Sequence, residues 1–581
     1  MTTELRSTTA PPRRARQRRR VRTWQVITLW LICMAPLLNW GLPTSKYDPL
    51  LFGDDQPWTA DRYNAGEALQ ARRDRVGGAD TDLDPITVTD RIVDLTEDEQ
   101  ARAAILLRYR LFSRQPDEVI SFMALQSMNP REFDFDPRLY QYGGAYIYLI
   151  GAVLGLSSLL GLTTLTGDIG VYLSQPELFA RFYVVARLVT LLFGAATLVA
   201  TIRLARRAAG RSAGWIAFFL VAASPVFLSG VLEAKPHLPS VCLLLWATLS
   251  ALEYQSKGRL RDALHMGWQA GYAFGLTFTG LAGALLWPLM FLARKDHAGR
   301  TLRHLALAGG LALGVYVVTN PYVAYNLLFN RAALAGNLDN SLAMYSLGQI
   351  PEGLTRVGQL LLESCGPGVL VGGLIAMIWL GLRWPRPIVL AIAPGLAMLL
   401  LCIAIGAGKP AEFARFLLLP AILLAIATAA LAAALASYRL GWGILVTVLA
   451  LAVMRSPAYL HSFCVDARFQ HESRRLAGQY LREHAPLSDV IGVVQVPAPY
   501  AIPPLDFAHR RIHLLPSNDV SPVEHQDLPQ WLVLTADDTT VYRDAWWQPH
   551  YQLIRYFAAE PLQLSRITWA NKPVFVYRRT E

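Results

Sequence analysis

Charge and cysteine are what this chain has least of. Asp, Glu, Lys and Arg make up 17% of its 581 residues and hydrophobic residues 53%, and the mean hydropathy is +0.30. A soluble chain of this length needs more surface charge, so the composition excludes an ordinary water-soluble globular protein and indicates a polytopic membrane protein. Five cysteines are too few for a disulfide scaffold. Cys33, Cys242 and Cys402 fall in predicted spans, which leaves Cys365 and Cys464 as the external pair, without a spacing that demands a bridge. The part of the chain after Arg455 shows no nucleotide-binding glycine loop, nucleophile triad or repeat, and no His, Asp or Glu spacing reads as a metal site. Lysine is scarce beside arginine, a bias that fits a GC-rich bacterial source.

What the chain has in abundance is long apolar runs. Stretches 23–40, 413–437 and 441–454 approach or exceed the length that crosses a hydrocarbon core of about 30 Å at about 1.5 Å per helical residue. No small-residue cleavage site follows the first run before Lys46 and Tyr47, so it reads as a retained span. Arginines from Arg13 to Arg22 precede it, and the positive-inside rule places such a cluster in the cytoplasm. Further basic clusters at 203–211, 257–261, 294–303, 383–386 and Arg439 mark later cytoplasmic turns. Satisfying all of them gives spans at 24–42, 180–203, 212–231, 237–254, 262–277, 279–293, 301–319, 367–382, 387–406, 413–437 and 440–455, about eleven transmembrane helices with the C-terminus outside. The net charge of +11 then reports topology and anionic lipid, and nucleic acid is not an expected partner.

The expected organisation is a basic cytoplasmic tail at 1–22, a transmembrane domain at 23–455 and an extracytoplasmic α/β domain at 456–581. A long external first loop spans 43–179. Within it, 142–162 reads as a helix in the outer interface, with Tyr140, Tyr142, Tyr146 and Tyr148 in the aromatic belt. An amphipathic piece at 97–112, with Ile105, Leu106, Tyr109 and Phe112 at helical spacing, reads as lying on the membrane. The C-terminal domain shows an amphipathic helix at 466–484 and buried strands at 490–496 and 531–535, consistent with a parallel α/β module.

This topology gathers four polar features on the outer side: Asp117-Glu118, the connection Glu233-Ala-Lys235-Pro-His237, the loop 320–366, and the turn Lys409-Pro-Ala-Glu412-Phe-Ala-Arg415. Acidic pairs in external loops are ordinarily solvated, so the pair alone says little. Its surroundings say more. Pro116-Asp-Glu-Val-Ile-Ser-Phe-Met, then Asn129-Pro130 and Tyr140-Gln-Tyr-Gly-Gly-Ala-Tyr-Ile-Tyr148, resemble the first external loop of the GT-C integral-membrane glycosyltransferases, nearest to the protein O-mannosyltransferase and lipid A aminoarabinose transferase group. Gly143-Gly144 stands where Pro-Ser is commoner in that group. The segment around Arg187, Asn320-Pro-Tyr and Ala414-Arg415-Phe-Leu-Leu-Leu-Pro420 resemble its later signatures.

The resemblance implies transfer of a sugar from a polyprenyl-phosphate donor to an acceptor protein, lipid or polysaccharide on the outer face. An acceptor hydroxyl is a poor nucleophile, so a carboxylate must take its proton, a role for Asp117 or Glu118. The leaving phosphate needs positive charge, which Arg187, Lys235 and Arg415 would supply. His237 stands where many members carry a second aspartate that helps bind a divalent metal; the histidine argues mildly against a metal-dependent mechanism, so no cofactor is expected, with a divalent cation as the alternative. Asp48, or the Asp54-Asp55 pair, in the lengthened first loop is a rival base. The competing classes are a multi-span lipid or solute transporter and a catalytically inactive scaffold. The halves show no hydropathic symmetry of the kind many transporters carry.

Overall fold

The computed structural model describes residues 22–63, 92–96, 99–140, 142–335, 349–383, 385–406, 411–436, 439–469, 471–494, 502–515, 528–535, 548–558 and 567–580. The basic tail up to residue 21, most of the charged stretch of the first loop, and Lys409 lie outside them. The described chain is mostly helical, with one sheet near its C-terminal end. Among the described residues, five helices are long and apolar enough to cross a membrane: Pro176–Ala222, Ala298–Thr319, Ile350–Arg383, Ala414–Leu435 and Val446–Ala467. Thr23–Asn39, Gly144–Leu159, Phe278–Ala293 and Ala391–Ile405 are apolar but shorter.

The first loop contains Glu99–Leu111, then α1 (Glu118–Gln126) and α2 (Gly144–Leu159). Ile105, Leu106, Tyr109 and Phe112 are buried, and Glu99–Leu111 packs against Ala60–Tyr63, Ile169–Ser174 and Pro176–Ala222. The expectation of a helix lying on the membrane is thus corrected. An apolar stripe has the same spacing whether protein or lipid covers it.

α3 (Pro176–Ala222) is interrupted at Ala209 and Gly210, where Gly210 takes φ +82°, a left-handed conformation open to glycine. The break falls in the basic cluster 203–211, where a turn is expected. The span read at 212–231 is itself divided. Pro225, which lacks an amide hydrogen and disfavours helix in the residue before it, ends the run at Ala222 and starts α4 (Pro225–Leu232). The connection 233–236 then leads into α5 (His237–Lys257). Gly366, at φ +76° before Pro367, likewise divides Ile350–Arg383. Against this wall packs α6 (Leu418–Leu435), buried at every position from 418 to 430, as an apolar helix enclosed by other helices should be.

Gly143-Gly144 is explained by close packing. The Gly143 amide donates to Leu276 O at 3.0 Å, and a Cβ there would lie 1.7 Å from the Gly275 carbonyl oxygen. Asn320 Oδ1 accepts from the Gly144 amide at 2.7 Å and its Nδ2 donates to Gly275 O at 3.2 Å. The side chain that opens Asn320-Pro-Tyr therefore caps α2.

The sheet comprises β1 (Val93–Asp94), β2 (Ile491–Val494), β3 (Ile512–Leu515), β4 (Trp531–Thr535), β5 (Tyr551–Phe557) and β6 (Val574–Arg579), in the order β1-β3-β2-β4-β6-β5. Only β3, β2 and β4 run parallel; β1, β5 and β6 pair antiparallel. The expected parallel module is thus a mixed sheet, and its first edge comes from the first loop. The helix read at 466–484 is two, Ser456–Ala467 and Ser473–His484. All five cysteines are free; Cys365 Sγ donates to Leu361 O.

A buried latch joins the first loop to the C-terminal part. Arg114 donates to Asp466 at 3.0 Å and pairs with Glu472, whose carboxylate also accepts from the Tyr47 hydroxyl at 2.5 Å. Asp466 in turn accepts from the Asn571 amide at 3.2 Å.

Candidate active site

Asp117 and Glu118 are neighbours in sequence with opposite environments. Glu118, the first residue of α1, is wholly buried. Its Oε1 accepts from Arg187 Nε at 2.8 Å and from the Ala234 amide at 2.7 Å. Its Oε2 accepts from Arg187 Nη2 at 2.7 Å and from Ser113 Oγ at 2.5 Å. Arg187 is equally engaged, because Nη1 donates to Leu38 O at 2.8 Å and Trp40 O at 2.6 Å and the Trp40 ring lies 4.7 Å from its guanidinium carbon. This bidentate pair ties α1 to α3, to the end of the first apolar helix and to the 233–236 connection. All three guanidinium nitrogens of Arg187 are thus engaged within the protein.

Asp117 faces the other way and keeps 19% of its side chain exposed. Its Oδ2 lies 3.0 Å from Lys235 Nζ and 2.5 Å from Arg415 Nη1. Burial acts to raise the Asp117 pKa, but the Lys235 ammonium and then the Arg415 guanidinium outweigh it and hold the carboxyl well below the usual range. The Gln115 side chain shapes the turn, accepting from the Asp117 amide at 2.7 Å and donating to Glu233 at 3.2 Å.

Glu233 is the carboxylate that sequence reasoning left without a role. It lies 3.3 Å from Lys235 Nζ and accepts from Ser229 Oγ at 2.6 Å. Burial raises its pKa, with Lys235 opposing. Its place two residues before Lys235 was the available signal, but the spacing does not reveal that both side chains turn to one point. His237 is held edge-on between the rings of Tyr142 and Phe416, with centroids 6.0 and 5.2 Å away. Gln115, Glu233, Lys235, His237 and Arg415 line a pocket of about 30 Å³.

Asp48 is not brought into this group. It pairs with Arg110 at 2.9 Å, and burial raises its pKa despite that partner. A second cavity, apolar and about 690 Å³, opens against the other face of α1; Val119, Phe122 and Met123 line it together with Tyr148, Phe179 and Phe182.

Residues 176–325 match the family described as dolichyl-phosphate-mannose-protein mannosyltransferase. That stretch carries Arg187, Lys235, His237 and Asn320, and the resemblance to the protein O-mannosyltransferase group read from the sequence is borne out over it. No curated protein matches the chain. Among solved structures, ArnT from Cupriavidus metallidurans in the apo state aligns over 95% of this chain and 97% of its own, at 13% identity and a TM-score of 0.40. The archaeal oligosaccharyltransferase AglB from Archaeoglobus fulgidus aligns over 69% of this chain and 62% of its own, at 11% identity and a TM-score of 0.36. The arabinofuranosyltransferase AftD from Mycobacteria aligns over 74% and 35%, at 15% identity and 0.34. This chain therefore spans less than two thirds of the length of AglB or AftD.

Proposed function

We propose that the protein moves a hexosyl or pentosyl unit from a polyprenyl-phosphate donor to an acceptor hydroxyl at the outer face of a bacterial inner membrane, with Asp117 as the base. The observation that carries this reading is one partly exposed carboxylate held by two cations, Lys235 and Arg415, in a family whose description names a lipid-phosphate sugar donor. Glu118 is unsuited to the task, since four donors already occupy its oxygens.

The chemistry follows from the charges. The acceptor oxygen attacks the anomeric carbon, its proton passes to Asp117, and the carbon–phosphate oxygen bond breaks. The departing polyprenyl phosphate gains one negative charge, which Lys235 and Arg415 are placed to neutralise. Donor binding also changes the base. A phosphate that draws Lys235 and Arg415 to itself removes the charges that depress Asp117, so burial then raises its pKa and its proton affinity. The apolar cavity behind α1 has the composition and size to hold part of an isoprenoid chain. Eleven spans, a cytoplasmic N-terminus and an external C-terminal domain complete the arrangement. No step calls on a metal or cofactor.

The test is transfer of radiolabelled sugar from a mixed pool of polyprenyl-phosphate sugars, in membranes that also supply acceptors, by the unmodified protein and by Asp117→Asn and Asp48→Asn at matched expression. Loss in Asp117→Asn with transfer kept in Asp48→Asn is the expected result. Absence of transfer by the unmodified protein with every donor would move the assignment to a transporter or scaffold.

A further inference from the structure

Over the small polar pocket lies a segment from the far end of the chain. Of the residues that line this pocket, Ile567 and Trp569 alone come from the C-terminal domain. The Ile567 carbonyl accepts from Ser229 Oγ at 3.0 Å, the hydroxyl that also reaches Glu233. Beyond Trp569 the segment is anchored in the latch. The Asn571 side chain accepts from the Ser473 amide at 2.9 Å, its own amide donates to Asp466 at 3.2 Å, and the Lys572 carbonyl accepts from Ser473 Oγ at 2.5 Å. Asn571 makes the turn at φ +46°, a conformation Asn tolerates better than most residues. Lys572 Nζ lies 3.9 Å from the centroid of the Trp569 ring, a cation–π contact that holds the indole. Trp569 is thus positioned from both sides.

The pocket, at about 30 Å³, has room for about one water, so a larger ligand enters by displacing side chains of its wall, of which the indole is the largest. Both ring nitrogens of His237, in the same wall, are buried with no hydrogen-bond partner among the described residues. Buried polar groups of this kind normally have partners, and sugar hydroxyls can donate to one nitrogen and accept from the other. A sugar ring also presents C–H faces, which a Trp covers with a large rigid apolar surface.

We propose that Trp569 is a substrate-contacting residue, and that the C-terminal domain completes the subsite for the transferred sugar. With the carrier phosphate on Lys235 and Arg415, the sugar bonded to that phosphate lies against the Trp569 indole and hydrogen-bonds His237. This inference rests on the glycosyltransferase reading above.

The test uses the full-length protein purified in detergent and the donor that the unmodified protein accepts from the mixed pool. Binding of that donor and of sugar-free undecaprenyl phosphate is measured for the unmodified protein, Trp569→Ala and Trp569→Phe. Trp569→Ala is expected to weaken the donor about tenfold and undecaprenyl phosphate by less than about twofold, with Trp569→Phe in between. Equal loss for both ligands, or no loss for either, overturns the inference while leaving the glycosyltransferase reading in place, because transfer by the unmodified protein is established first. Should Trp569→Ala fail to fold, the same affinity ratio in Trp569→Phe and Trp569→Leu decides. Absence of transfer by the unmodified protein from every donor removes the reading itself, and the inference with it.

Discussion

Arg187 grips Glu118 through two parallel hydrogen bonds of 2.8 and 2.7 Å, and neither side chain has any exposed surface. The pair lies next to Asp117, so α1 is pinned at its first turn while the preceding residue keeps 19% of its side chain exposed. Two adjacent carboxylates thus have different partners, one bracing the helix through Arg187 and one pairing with Lys235 and Arg415.

Removing one member of that brace leaves the other buried without its partner. Arg187→Met or Glu118→Leu alone is expected to destabilise the protein by about 3–5 kcal/mol, and the double variant by less than either. Thermal unfolding in detergent of the two single variants and the double checks this. A single variant with an unchanged melting temperature but no transfer would instead return Glu118 or Arg187 to the chemistry.

Asp117→Asn keeps the shape of the side chain and is expected to fold. Its transfer rate should fall by about 10²–10⁴-fold, the range for loss of a general base. Melting temperature and single-turnover transfer, measured side by side, separate the two effects.

Lys235→Met and Arg415→Met are each expected to raise the donor KM by about tenfold to a hundredfold, since a hydrogen bond to a charged group contributes about 1.5–3 kcal/mol. Steady-state kinetics against donor concentration gives the comparison. An unchanged KM in both would show that the phosphate lies elsewhere.

The pH profile should report the handover of cations. In the free protein the Asp117 carboxyl is held below its usual range by Lys235 and Arg415. A depressed folded value adds stability that is fully present above the unfolded value of about 3.9 and is lost only as pH falls through the folded value. Asp117 therefore contributes no slope to stability between about pH 5 and 8. With donor bound the carboxyl loses its cations, so the acid limb of kcat should lie at higher pH than that of kcat/KM. Coincident limbs would mean that Lys235 and Arg415 stay on Asp117 during the reaction.

Gly143→Ala would place a methyl group 1.7 Å from the Gly275 carbonyl oxygen. That clash with backbone is expected to exceed the usual overpacking cost of about 1–3 kcal/mol, and to lower the yield of folded protein in membranes. Gly155→Ala, with no atom within 4 Å of the added Cβ, is the control.

Much of this arrangement was written in local sequence. Apolar runs and basic clusters located the helices and most of their breaks, because the apolarity of a run, the cost of burying a cluster of charges and a proline's missing amide hydrogen act without reference to distant contacts. The first-loop acidic pair, Lys235 and Arg415 were likewise legible as a group, Lys235 through the predicted topology and the others also through their resemblance to family motifs. What the sequence could not contain was the direction in which neighbouring side chains point. Glu118 and Asp117 differ by one position, yet Arg187, 69 residues on from Glu118, draws one inward, while Lys235 and Arg415, the latter 298 residues on from Asp117, hold the other at a partly exposed position. The same holds for Glu233, for the buried helix Glu99–Leu111 and for Trp569. Each owes its place to partners hundreds of residues away or to protein covering an apolar face that lipid could also have covered, and only the closed tertiary structure decides between those outcomes.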